Sequence, residues 1–110
     1  MMDSKKPIAK RRNERATEII AHEAALFITR EAGNESLITV IRAIPLAHGE
    51  RMNVFVSVFP EEKSKEAMAF LGRHREMFSD YLKKHVRISP LPRVDFFLDN
   101  GESSGGPGGN

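Results

Sequence analysis

His22 and Glu23 open the stretch His-Glu-Ala-Ala-Leu, which begins like the zinc-hydrolase pattern His-Glu-x-x-His. That pattern works because two imidazoles one helical turn apart grip one metal ion while the glutamate handles a proton. Leu26 stands where the second histidine is required, so the ligand pair is missing. His74 and His85 are eleven residues apart. At about 1.5 Å of helical rise per residue they are too distant to share an ion. They read as satisfied core or boundary residues, and His48 as a solvated turn residue. Glu61 and Glu62 sit before a helical pattern, where acids answer the positive end of the helix dipole. No serine has an evident base and orienting partner. Cysteine is absent, which removes a thiolate nucleophile, a disulfide framework and a Cys-based metal site. The chain therefore reads as a non-enzyme, with no metal and no cofactor.

Phosphate-cradling loops are missing as well. There is no Gly-x-x-x-x-Gly-Lys, and no Gly-x-Gly-x-x-Gly after a strand pattern. A Gly-x-x-Gly match at Gly105 and Gly108 falls in a terminal low-complexity stretch, away from any helix junction.

Positive charge is the remaining candidate chemistry. Lys5, Lys6, Lys10, Arg11, Arg12 and Arg15 face only Asp3 and Glu14 in the first fifteen residues. A second group is Arg73, Arg75, Lys83, Lys84 and Arg87, with Arg93 nearby. These project mainly away from the apolar stripe of their segment. Two readings stay open. One is a solvated helix face plus a basic arm. The other is a single basic surface that neutralises a phosphate backbone. Tyr81 is the only tyrosine, tryptophan is absent, and most phenylalanines fall at core spacing. Backbone and shape recognition is therefore favoured over base stacking.

The elements that must carry these groups follow from length and pattern. The 110 residues fit one small domain with a modest core. Apolar residues at 40% and charged residues at 29% are ordinary for a globular chain. The net charge of +2 hides an asymmetry, because residues 1–15 alone carry +4. No run approaches the roughly 18 apolar residues of a membrane span. The basic N-terminus lacks the apolar region of a secretory signal. A soluble, cytoplasmic monomer is expected.

Residues 1–12 read as a flexible basic arm, and 100–110, rich in Gly and Ser, as a disordered tail. The folded unit is 13–99. Asn13 is placed as an N-cap, and Ala16, Ile19, Ile20, Ala24, Phe27 and Ile28 mark one helical face. Gly33 and Asn34 close that helix. Residues 36–44 read as a strand stopping at Pro45, 45–50 as a hairpin connection, and 51–59 as a second strand. Phenylalanine on both faces of the second strand suggests partial cover on each side. Pro60, Glu61 and Glu62 start a long helical pattern running from Ala67 to His85. One long helix, or two with a bend near Gly72, His74, Arg75 and Glu76, both fit. Residues 93–98 alternate as a final strand. The order α-β-β-α(α)-β implies an α+β fold, a three-stranded mixed sheet with helices on one face.

Several segments resemble the ribosome-binding factor A family. Arg15-Ala16-Thr17-Glu18-Ile19-Ile20, with Glu23 one turn on, is similar to its basic opening helix. Ile38-Thr39-Val40 and Val54-Phe55-Val56-Ser57-Val58 resemble its first two strands. Residues 78–84 followed by Val86-Arg87-Ile88 resemble its last helix and exit. Pro92-Arg93-Val94-Asp95-Phe96-Phe97-Leu98-Asp99 resembles its Pro-x-Leu-x-Phe-x-x-Asp closing strand. The resemblance covers about 13–99, in order. It departs at the bend, where the family usually has Ala-x-Gly and this chain has His74-Arg75-Glu76, with Gly72 available as the bending residue. It also departs in the first hairpin, Leu46-Ala47-His48-Gly49. The chain would be a divergent member.

The resemblance implies a type II KH-like α-β-β-α-(kink)-α-β fold without a Gly-x-x-Gly loop. It implies a non-catalytic factor that binds the small ribosomal subunit and its rRNA in late maturation and supports growth in the cold. The alternative function is a small protein-interaction domain of the same fold that binds no RNA.

Overall fold

The computed structural model describes residues 5–99, and the side chains of 14–99. Residues 1–4 and the Gly/Ser-rich stretch 100–110 lie outside the described residues.

Helix α1 runs Lys5–Glu31. It begins eight residues before Asn13, so Asn13 is interior rather than a cap. Residues 5–12, read from the sequence as part of a flexible basic arm, are helical in backbone. Their lysines, arginines and alanine are good helix formers. Pro7 falls in the first turn, where a missing N–H costs no intrahelical bond. Ile20, Ala24, Phe27 and Ile28 form the buried stripe of its C-terminal half.

Strand β1 (Leu37–Leu46) pairs antiparallel with β2 (Arg51–Phe59), and β2 pairs parallel with β3 (Arg93–Leu98). The sheet order is β1-β2-β3. β1 continues through Pro45, where the sequence pattern predicted it to stop. As an edge strand it tolerates a residue that cannot donate a ladder hydrogen bond. The reversal is correspondingly shorter. Ala47, His48 and Gly49 have φ of 52°, 56° and 89°, a left-handed turn that only glycine enters without steric cost. A register shift between Val40 and Arg42 makes Ile41 a bulge. Before it, Ile38 and Val40 pack toward the core; after it, Ala43 does.

The second helical segment is broken in two. α2 (Ser64–Arg73) and α3 (Arg75–His85) meet at His74, whose φ of −98° and ψ of 10° leave the helical region. The bend is therefore at His74 and not at Gly72. Gly72 lies inside α2, and a Cβ there would meet nothing within 4 Å. No steric need for glycine exists at that position. His74 holds the joint through its own groups. Its N–H reaches the carbonyls of Phe70 and Leu71, its carbonyl accepts from the Phe78 N–H at 2.9 Å, and its ring packs at a tilt against Phe70 with centroids 4.1 Å apart.

The core lies between the three helices and one face of the sheet. Met52, Val54 and Val56 of β2 point into it, with Val94 of β3, Leu71 of α2, and Phe78 and Leu82 of α3. Phe27 and Phe78 are fully buried with ring centroids 5.1 Å apart. Each side chain of this kind stabilises the fold by about 1.5–3 kcal/mol through burial. This is the α+β, mixed-sheet order expected from the sequence pattern, and it agrees with the type II KH-like fold that the resemblance implies. Among the described residues, no helix lies on the opposite face of the sheet. The partial cover expected there comes from arginine side chains and from Phe55 and Phe97 packing on each other at 5.6 Å.

Candidate nucleic-acid interface

The cations predicted to face solvent do so wherever side chains are described. Arg15, Arg73, Arg75, Lys83, Lys84 and Arg87 are all exposed. The side chains of Lys5, Lys6, Lys10, Arg11 and Arg12 lie outside the described residues, though their backbone is the first part of α1.

These groups are not equivalent. Arg73, Lys84, Arg87 and Arg15 make no ion pair among the described residues. Lys83 sits 3.8 Å from Asp80, one turn back on α3, an exposed pair of small energetic weight. Arg75 is different. It donates a 2.8 Å hydrogen bond to Asp95 on β3. Arg75 thus ties the start of α3 to the sheet, and its charge is partly committed.

The bend places Arg73 and Arg75 on either side of His74. Glu76 is exposed in the first turn of α3, where its negative charge meets the N-terminal dipole. Gly72, His74, Arg75 and Glu76 therefore flank the joint, but His74 alone makes the break. The His74 Nδ1 donates to the Phe70 carbonyl at 2.9 Å, which fixes the ring against α2. Lys83 and Lys84 lie in the last turn of α3, where cations answer the negative dipole end, and Arg87 follows just beyond.

α1 and α3 are joined by a polar cluster. The Tyr81 hydroxyl donates to Glu23 Oε1 at 2.7 Å. Arg30 lies over the Tyr81 ring at 4.9 Å, and the His85 ring stacks on it at 4.1 Å. The hydrogen bond to Glu23 raises the Tyr81 pKa above 10.0, with burial and the Glu23 charge adding to it and Arg30 opposing. Glu23, half of the truncated His-Glu pattern, spends its carboxylate here. Among the described residues no group of three or more His, Cys, Asp or Glu is placed to hold a metal ion.

Sequence reasoning missed a third set of cations. Arg42 and Arg51 join Arg93 on the helix-free face of the sheet, where Arg42 is in register with Phe55, Arg51 with Leu46, and Arg93 with Arg51. Strict alternation from Ile38 and Val40 would turn Arg42 toward the core. The bulge at Ile41 turns it outward, over the Phe55 ring at 4.7 Å. Ile41 lies in an unbroken β-branched run with no glycine, so no local signal marks that bulge.

No helix among the described residues is long and apolar enough to cross a membrane. No family model and no curated protein matches this chain by sequence. Solved structures do match it. Ribosome-binding factor A from Thermus thermophilus superposes with a TM-score of 0.69 at 24% identity, covering 78% of this chain and 93% of that one. A Thermotoga maritima protein described as a ribosome-binding factor A gives a TM-score of 0.57 at 24% identity, covering 81% of this chain and 84% of its own. At this identity the likeness establishes the fold.

Proposed function

We propose that this protein is a non-catalytic assembly factor that binds the small ribosomal subunit and its rRNA during late maturation. The observation that carries the reading is the fold likeness to ribosome-binding factor A, which takes in 93% of the Thermus protein. The solvent-exposed cations supply a physical means. Arg73 at the bend and Lys84 and Arg87 at the end of α3 are free to neutralise phosphates and release counterions. The basic N-terminal half of α1, with Lys5, Lys6, Lys10, Arg11, Arg12 and Arg15, adds to this charge. Arg75 contributes less, because Asp95 already holds it. The joined helices fix the register of these groups, and binding favours one conformation of an immature RNA region. The protein acts as a cytoplasmic monomer.

Co-sedimentation with small subunits from growing cells tests this. Association at low salt that falls steeply as salt rises is expected. No association with either mature or precursor subunits would remove the proposal.

One feature favours the second reading, a protein-interaction domain. Leu37 and Phe59 are paired across β1 and β2 and are 64% and 73% exposed. A partner protein recovered on this pair, with no RNA in the complex, would support it.

A further inference from the structure

We propose that the helix-free face of the sheet is a second RNA-binding surface, which takes an unpaired segment by laying a base on Phe97. The proposal rests on the RNA reading above and assigns it a site away from the helix bend.

The face is built by the register of the three strands. Phe97 lies opposite Phe55, Asp95 opposite Asn53, and Arg93 opposite Arg51. On the other side of β2, Arg42 lies opposite Phe55. The result is an aromatic pair with arginines beside it. Phe55 is half-buried, with the Arg42 guanidinium above it, whereas Phe97 is 41% exposed. An exposed aromatic ring, here packed beside a second ring that a guanidinium covers, is a surface on which a base stacks, since every base has a π-face.

Charge selects the occupant. Four arginines reach this region, Arg42, Arg51, Arg75 and Arg93. The two carboxylates among them are Asp95 and Asp99, whose side chains are only 17% and 6% exposed. Asp99 accepts from Arg42, and Asp95 accepts from Arg75 with Arg51 at 4.0 Å. What solvent meets is therefore the cations, the ring and, along the β1 edge, Ile44 and Leu46, not the acids. Arg93 is exposed and makes no ion pair among the described residues. The far end of the sheet differs, because Phe59 and Ile41 there border a cleft with Glu61 and Glu62. A polyanion is thus confined to the strip from Arg42 across Phe97 to Arg93. An apolar protein partner would find no match for the arginines. A duplex would bury its bases from the ring.

The test uses the full chain and a fluorescein-labelled oligouridine of about ten nucleotides, a length in the usual range for such platforms. Binding is read by anisotropy at low salt, with folding checked by circular dichroism. Phe97→Ala and Phe97→Leu are each expected to weaken binding about tenfold. Arg93→Glu is expected to weaken it and flatten its salt dependence. Phe97→Leu keeps the apolar bulk and removes the ring, so it remains decisive if the alanine variant fails to fold. Binding unchanged in Phe97→Leu overturns the proposal. So does a concentration-dependent dimer that Phe97→Ala dissociates while RNA affinity stays constant, which would assign the face to a second copy. Co-sedimentation of the same variants separates the two levels. Oligouridine binding lost in Phe97→Leu without any wild-type association with small subunits leaves the platform and removes the ribosomal reading. Normal subunit association with unchanged oligouridine binding does the reverse.

Discussion

The Tyr81 hydroxyl of α3 donates a 2.7 Å hydrogen bond to Glu23 Oε1 of α1, linking residues 58 positions apart. This pair locks the two helices whose cations are proposed to meet RNA. Its phenol is held protonated by the carboxylate, which raises its pKa above 10.0. The native state therefore binds this proton more tightly than the unfolded chain. The stability from the bond is fully present below pH about 10 and is lost as pH rises through the raised native value. Tyr81→Phe should lower stability by about 1 kcal/mol at neutral pH and remove this part of the alkaline loss. Thermal melts from neutral to alkaline pH check both, and an identical alkaline profile in the variant would contradict the assignment.

Phe78 is fully buried and packs on Phe27 at 5.1 Å and on Phe96 at 5.8 Å. It joins three elements at once, so no single shift can close the space it leaves. Phe78→Ala should cost about 3–5 kcal/mol, a large share of the stability of a small domain. Urea denaturation is the measurement. A loss below about 1 kcal/mol would mean that the core collapses around the site.

Gly72 has no steric role, since a Cβ there meets nothing within 4 Å. It lies within α2, one residue before the helix ends at Arg73. Gly72→Ala should stabilise the protein by roughly 0.5–1 kcal/mol and leave RNA binding unchanged. If the bend needed glycine, the same substitution would destabilise the fold instead. A melting curve decides the sign.

Arg73, Lys84 and Arg87 are exposed without ion pairs among the described residues. Reversing all three to Glu should leave the melting temperature within a few degrees and weaken subunit binding. The dependence of binding on salt should also become shallower, because fewer counterions are released. Arg75 is left in place, because its reversal would put a negative charge against Asp95. Normal binding by the triple variant would move the RNA contact elsewhere.

Local pattern was enough for much of this fold. The spacing of Ile20, Ala24, Phe27 and Ile28 marked the buried stripe of α1, and the alternation of Met52, Val54 and Val56 marked the inward face of β2. These are short-range consequences of helix and strand periodicity. The exposure of Arg73, Lys84 and Arg87 followed from the same periods. The start of α1 did not, because helix propensity carried the chain past a good capping residue at Asn13. The local pattern bracketed the bend within the span from Gly72 to Glu76 but left open whether the segment breaks and at which residue, because the break at His74 is stabilised by Phe70, Leu71 and Phe78.

The sequence by itself determined the element order, the apolar stripes and the cations that avoid them, since each depends on residues only a few positions apart. Only the tertiary structure decided which cations are free and which are spent. Arg75 meets Asp95 twenty positions away, and Arg42 meets Asp99 fifty-seven away. It also decided that Arg42 turns outward, because the bulge at Ile41 exists only in the pairing of β1 with β2. The aromatic strip of Phe55 and Phe97 depends on the parallel register of two strands with both α2 and α3 between them in sequence. Such long-range pairings reflect the packing of the whole chain, and no local period encodes them.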